Sequence, residues 1–254
     1  FKDPKHGEFT LPDDSPAFKV GFKRFDYSKA GVFGDDAWKK LAADYNHPVR
    51  PMAPPKPAPV PVKINDDFES PRSTPVKKAA LHDEGKNLIR ISTDKPFAGE
   101  KCLEVNDSPE MKAAYNPHLF FTPNYTSGTA VSTFALRVQK NSHTHIEWRD
   151  DSSPYKTGPS IHIDGGKLTA SNVPLLDFPL DRWVNFEITA KVGEAADGSW
   201  NLTLIFADGA KKTFEKLPPV SKDWRNLNWV GWCNLGQSGE NTSFFIDNLV
   251  IDNQ

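Results

Sequence analysis

Cysteine is nearly absent. Only Cys102 and Cys233 occur in 254 residues, each inside an apolar run that reads as a strand, KCLEV and VGWCNLG. Two residues supply no CxxC and no Cys/His zinc spacing, so a single disulfide or two buried thiols are the alternatives. Long hydrophobic runs are also missing: no stretch of about 18 apolar residues exists, and no helix is expected to span a bilayer. No charged-then-apolar leader opens the chain, which starts on Phe1 and reads as a piece of a longer precursor. Neither sign of charge is in excess. With 31 Lys and Arg against 33 Asp and Glu the formal charge is −2, without the basic stripe of a dedicated nucleic-acid binder. The Gly-rich phosphate loop, the GxSxG elbow and the HExxH helix are absent too, which leaves kinase, serine-hydrolase and metalloprotease chemistry without a carrier.

What is present divides the chain. Of 22 prolines, many fall in HPVRPMAPPKPAPVPV, residues 47–62, which favours extended polyproline II, cannot join a central strand and reads as a linker. Before it, residues 1–46 are short apolar pieces punctuated by Pro, Gly and Asp. One helix is expected there, over Asp35–Asp44, with Asp35 or Asp36 as cap and Trp38, Leu41 and Ala42 repeating at i, i+3, i+4. This segment is too small to bury its own phenylalanines and should dock against something larger. After the linker, 63–254 carries roughly a dozen short runs such as LIRIST, AVSTFALRV, HTHIEWRD, WVNFEITAKV and FFIDNLVID, separated by turn residues. With 37% hydrophobic and 11% aromatic residues to fill a core, the expected fold is all-β, an antiparallel β-sandwich of the jelly-roll type. DGG before Lys167 and ADG before Ala210 read as hairpin turns.

The run HTHIEWRD is the most informative. Side chains alternate along a strand, so His143, His145, Glu147 and Arg149 share one side while Thr144, Ile146 and Trp148 take the other. Two imidazoles, a carboxylate and a guanidinium, followed by Tyr155 and His162, suit a saccharide-binding surface. The plainer alternative is a structural Glu147–Arg149 ion pair on an exposed face. Sugar sites set aromatic rings against pyranose faces and polar groups against hydroxyls. Tyr115, Asn116 and His118 of YNPH, with Tyr125, Trp148, Tyr155 and Trp183, are the further candidates. Trp229 and Trp232 are expected on opposite faces of their strand, one of them exposed.

Two resemblances bear on these readings. The phrase FTLPDDSPAFKVGFKRFDYSKAGVFGD, within about forty residues, resembles the closing segment of secreted right-handed parallel β-helix proteins of bacterial polysaccharide-degrading families. The solenoid repeats themselves would lie upstream, so no catalytic residue carries over. In 63–254, NDDFES, AGEKCLEVND, YNPHLFFTPNYTSG, HIEWRD, YKTGPSIHID, DRWVNFEI and FFIDNLVI resemble concanavalin-like and carbohydrate-binding jelly rolls appended to secreted glycosidases and lyases. The resemblance implies a non-catalytic module that presents one sheet to a polysaccharide and follows an upstream catalytic β-helix domain in a secreted, periplasmic or cell-surface parent. It also implies a structural calcium held by Glu69 and Asp247, with Asp107 as a further ligand; the alternative for Asp66, Asp67 and Glu69 is a solvated acidic edge.

Catalysis has weaker support in the residues. HIEWRDD does not match the ExDxxE strand of sandwich glycoside hydrolases, since Glu147 has Arg149 and not a second carboxylate as its same-face neighbour. A jelly-roll polysaccharide lyase would use Arg149 on a uronate with His145, His162 and Tyr155 as base and acid. SIHI only faintly matches the lyase strand QIH, and the accompanying YFKAGxY is missing. A cap for the end of a β-helix, binding nothing, is the third alternative.

Overall fold

The computed structural model describes the chain apart from residues 7, 27–29, 45–56, 72 and 237–240. Two compact units emerge, Phe1–Lys56 and Pro57–Gln254, divided within the proline-rich tract. Of the linker assigned to 47–62, residues 47–56 lie outside the described residues. The end of the tract is bonded to the second unit: Val62 N donates to Pro123 O at 2.8 Å, and the Tyr125 hydroxyl donates to Val62 O at 2.8 Å.

The first unit contains short 3-10 turns at Pro4–His6 and Pro16–Val20 and one helix, α1, Asp36–Asp44. Asp35 caps α1 by accepting the Trp38 N–H at 3.0 Å, as the sequence suggests. Among its described residues none is buried: Trp38 and Leu41 are exposed, and Phe1, Phe9, Phe22 and Phe25 line an apolar cleft of about 620 Å³.

The second unit is a sandwich of two antiparallel sheets. The seven-stranded sheet runs β10 (Val173–Asp177), β9 (Lys167–Ala170), β8 (Thr157–Asp164), β7 (Thr144–Arg149), β14 (Trp229–Asn234), β5 (His118–Phe121) and β2 (Ala80–His82). The eight-stranded sheet runs β13 (Lys211–Leu217), β12 (Trp200–Phe206), β11 (Val184–Val192), β6 (Gly128–Val138), β15 (Thr242–Asn253), β4 (Cys102–Asp107) and β3 (Ile89–Ser92), with β1 (Ile64–Asp66) also pairing with β15. The expected hairpins form: Gly165 and Gly166 take φ of 53° and 75° between β8 and β9, and Gly209 takes 81° between β12 and β13. Strands β1, β2 and β10 have three to five residues each, too few for local alternation to announce them.

Alternation fills the core. Trp148, Val230 and Trp232 point inward from one sheet, Phe134, Phe186 and Phe244 from the other, and all are at most 2% exposed. Trp232 meets Phe134 across the sandwich edge to face at 5.4 Å, and Phe134 stacks on Phe186 at 5.2 Å. The cysteines are both free and buried, and no disulfide joins them. Leu103 and Val105 fill the core, so the alternating Cys102 faces outward on its sheet; Cys233, next to the inward Trp232, faces outward on the other. Replacing Trp232 by Ala removes the central inter-sheet contact and is expected to cost about 3–5 kcal/mol in denaturant unfolding, whereas Trp229→Ala, on the outer side of the same strand, should cost clearly less.

Candidate functional site

Register turns the chemistry of β7 into a surface five strands wide. On the outer face of the seven-stranded sheet, His145 lies opposite His162 of β8 and Cys233 of β14; Cys233 in turn lies opposite His118 of β5, and His118 opposite His82 of β2. A second row carries Ser160, Glu147, Gly231 and Phe120, and a third pairs Thr157 and Trp229 with Arg149. His143 joins at the end of the first row, its Nε2 within 3.0 Å of His162 Nδ1. Five of the chain's seven histidines thus gather on one face.

The rings stand upright on the sheet. His145 and His162 have centroids 4.0 Å apart and planes 7° apart, and His82 and His118 are 4.5 Å and 3° apart. Coplanar rings at those separations would collide, so each pair overlaps face on face along the inter-strand direction, leaving ring edges to point outward. Phe120 continues the array, 5.3 Å from Trp229 at 28°. Beyond Trp229 comes Arg149, whose guanidinium carbon lies 4.2 Å from the Trp229 ring centroid and 4.3 Å from that of Tyr155. Arg149 Nε donates to Glu147 Oε2, and no acceptor among the described residues meets its terminal nitrogens.

Burial sets the charge of the face. Side-chain exposure is 13% for His145, 12% for Glu147 and 25% for Arg149, more enclosed than alternation alone suggests, because Tyr155, Trp229 and the neighbouring imidazoles cover them. Desolvation, reinforced by the neighbouring imidazole, pushes His145 down to about 3 and His118 down to about 4, and it lowers His162 as well. Cys233 is pushed up to about 12, chiefly by burial, and stays a thiol. Burial thus holds His145, His118 and His162 towards the neutral form and Cys233 as a thiol, beside the Arg149–Glu147 ion pair.

Of the other expected sugar contacts, Tyr125 and Trp148 are corrected: they are 2% and 0% exposed and belong to the core. Tyr115 is 62% exposed and meets His118 at a steep angle, centroids 5.7 Å apart. Asn116 Oδ1 lies 2.8 Å from His118 Nδ1, and Asn116 Nδ2 donates to Glu84 at 3.1 Å. Trp183 donates its indole N–H to Lys95 O and lines a separate cleft of about 480 Å³ with Arg182, Phe206 and Lys212. Trp229 and Trp232 do take opposite faces. The residues that local reading passes over are His82, Phe120, Trp229, Gly231 and Cys233; alternation within NWVGWCNL puts the last three on one side, but which side faces Arg149 is settled by register.

The expected calcium ligands separate into two places. Asp247, fully buried, accepts the N–H groups of Phe97 and Ala98 on Oδ2 and of Asn248 on Oδ1, while Glu69 Oε1 accepts those of Glu100 and Lys101. Both carboxylates thus converge on the loop of residues 97–101. Burial, with a smaller contribution from the Glu69 charge, raises the Asp247 carboxyl above its ordinary range, and no cation pairs with it among the described residues. Asp107 does not join them. It sits opposite Thr242 at the far end of the β4–β15 ladder, beside Gly236, and burial raises it to about 6. Among the described residues no group of three or more His, Cys, Asp or Glu side chains is placed to hold a metal, so a cation at Asp247 and Glu69 would need backbone oxygens as well.

No protein-family model and no curated protein matches the chain. Solved structures do. An alginate lyase from the marine Aplysia kurodai superposes with a TM-score of 0.51 at 7% identity, over 70% of this chain and 91% of that one. The seed lectin of Lotus tetragonolobus superposes at 0.50 and 8% identity, over 76% and 98%. A glucuronan lyase from the fungus Trichoderma reesei reaches 0.49 at 12% identity, over 69% and 90%. The fold is a jelly-roll sandwich. At such identities the likeness concerns the fold alone.

The depressed histidines make an expected pH dependence. In the folded chain His145 and His118 stay neutral well below the unfolded value near 6.5, so their contribution is present above that value and is lost as pH falls towards 4, by up to about 1.4 kcal/mol per pH unit for each group. Asp107, raised to about 6, acts in the opposite sense over part of that range. His145→Gln should therefore lose less stability than the parent between pH 7 and pH 5 in chemical denaturation.

Proposed function

We propose that the outer face of the seven-stranded sheet binds a polysaccharide, and that the sandwich is a non-catalytic carbohydrate-binding module of a secreted polysaccharide-degrading protein. The observation that carries this reading is Arg149: a guanidinium fixed by Glu147, flanked by Tyr155 and Trp229, with its terminal nitrogens met by no acceptor among the described residues, on a face rich in hydrogen-bonding ring edges. Two solved structures of the same fold, an alginate lyase and a seed lectin, support a glycan as partner. The phrase at residues 9–35 supports a place downstream of a β-helix enzyme. No helix among the described residues is long and apolar enough to cross a membrane, which is compatible with secretion.

A lyase is the second reading, favoured by one observation. His145 and His118 are uncharged imidazoles near Arg149, and an uncharged imidazole accepts a proton. Against it, His145 Nε2 is engaged by Ser160 Oγ at 3.1 Å and the ring is covered by His162. Arg149→Ala is expected to weaken retention on affinity gels of acidic polysaccharide by about 1.5–3 kcal/mol and, because it leaves the enclosed Glu147 carboxylate without its partner, also to lower the melting temperature, so retention is compared where the variant is folded; retention of the parent should fall with salt. Ultraviolet absorbance of unsaturated uronates released from the same polymers would instead establish the lyase, and a face that retained no glycan would leave a structural cap.

We propose further that Glu69 and Asp247 hold a structural calcium. A fully buried carboxylate with a second carboxylate close enough to raise it and no cationic partner among the described residues suits a hard cation. Gly99 leaves the space for the Glu69 carboxylate to reach the loop of residues 97–101: a Cβ there would lie 2.4 Å from Glu69 Oε1. Chelation with EDTA is expected to lower the melting temperature of the parent and not that of Asp247→Ala; identical curves with and without chelator would remove the metal.

A further inference from the structure

Glycine at 231 has no role in the turn chemistry of the fold, since it lies inside β14 between two strands. Its place is nevertheless exacting. A Cβ built at Gly231 would stand 2.0 Å from Cη2 of Trp229 and 2.5–2.6 Å from its Cζ2 and Cζ3, so the six-membered end of the indole occupies the space a side chain would take. Leaning along the strand into that space, the ring meets Phe120 on one side and the Arg149 guanidinium on the other. Arg149, with Tyr155 and Trp229 on its faces and Nε given to Glu147, has one approach left, the edge carrying its two terminal nitrogens. A planar acceptor with two oxygens matches that edge.

We infer that Gly231 is the positioning residue of the face: by admitting the Trp229 ring it fixes Arg149 edge outward, and the group so recognised is a planar carboxylate, as on a uronate residue of an acidic glycan. This rests on the glycan-binding reading above and names its ligand chemistry. Neutral imidazoles around Arg149 leave that guanidinium as the cation of the site, while the upright rings turn edges and not faces to a sugar, which disfavours flat stacking on an uncharged pyranose.

The test separates the positioning from the binding. After desolvation and a neighbouring imidazole, Arg149 makes a smaller contribution to holding His118 and His145 in the neutral form, so its displacement is read without ligand as a small upward movement of both titrations. In Gly231→Ala, histidine titrations followed by NMR should move upward for both rings. Trp229→Phe lacks the three colliding atoms, and G231A combined with W229F should restore the parent titrations. If G231A alone does not fold, recovery of folding in the W229F background reports the same collision. Unchanged titrations in G231A, or changes that W229F does not reverse, overturn the positioning role. Binding is read on polygalacturonate and on its methyl ester. The parent should prefer the acid form at least tenfold, G231A should lose that preference, and the double variant should regain it to within about threefold. Equal binding of the ester overturns the carboxylate as ligand; no binding of either polymer by the parent, with the titrations behaving as described, overturns the glycan reading and leaves Gly231 a positioning residue.

Discussion

The register of β14 between β7 and β5 is the constraint on which the rest of this sandwich depends. Its inward residues, Val230 and Trp232, are buried between the sheets, and its outward ones, Trp229, Gly231 and Cys233, supply one member to each of the three outer rows. A slip of one residue would bring Trp232 out of contact with Phe134 and drive Trp229 inward, so core packing and the layout of the face are fixed by one pairing. Burial of large aromatic rings supplies the energy that makes this register unique, and the histidine row follows from it without stabilisation of its own being required.

The stacked His145–His162 pair in that row is tolerable because burial holds both rings towards the neutral form. Ionised imidazoles packed face to face at 4.0 Å would repel and would lack water to solvate them, so burial and proximity both select the neutral form. Arg149 and Glu147 retain opposite charges beside each other, and Tyr155 and Trp229 replace part of the solvent that a lone guanidinium would need. The face therefore carries a fixed, oriented cation within a neutral polar array, a different arrangement from the open aromatic platform that tyrosines and tryptophans in a sequence first suggest.

A second polar construction lies at the other sheet. Asp247 and Glu69 tie the last strand and the start of the sandwich to the loop of residues 97–101 through backbone N–H groups. The two ends of the unit are also joined by β1 pairing with β15. Closure of the domain thus combines a ladder with buried carboxylates that accept from a loop, and a hard cation there would act on the same junction.

Sequence alone determined whatever has a short period or a local turn. Alternation put His145, Glu147 and Arg149 on one side of β7 and Ile146 and Trp148 on the other; it separated Trp229 from Trp232; Asp-Gly turns located the hairpins; and aspartate before Trp38 located the helix start. Long-range pairing was beyond it. Only the tertiary structure decided that β2, β5 and β14 bring His82, His118, Cys233 and Trp229 beside β7, that Tyr125 and Trp148 are core, and that Asp107 stands apart from Glu69 and Asp247. It also set Cys102 and Cys233 on the outer sides of different sheets. The physical reason is that side-chain direction along a strand is a property of neighbouring peptide units, whereas strand order is chosen by how two whole sheets bury their aromatic residues against each other.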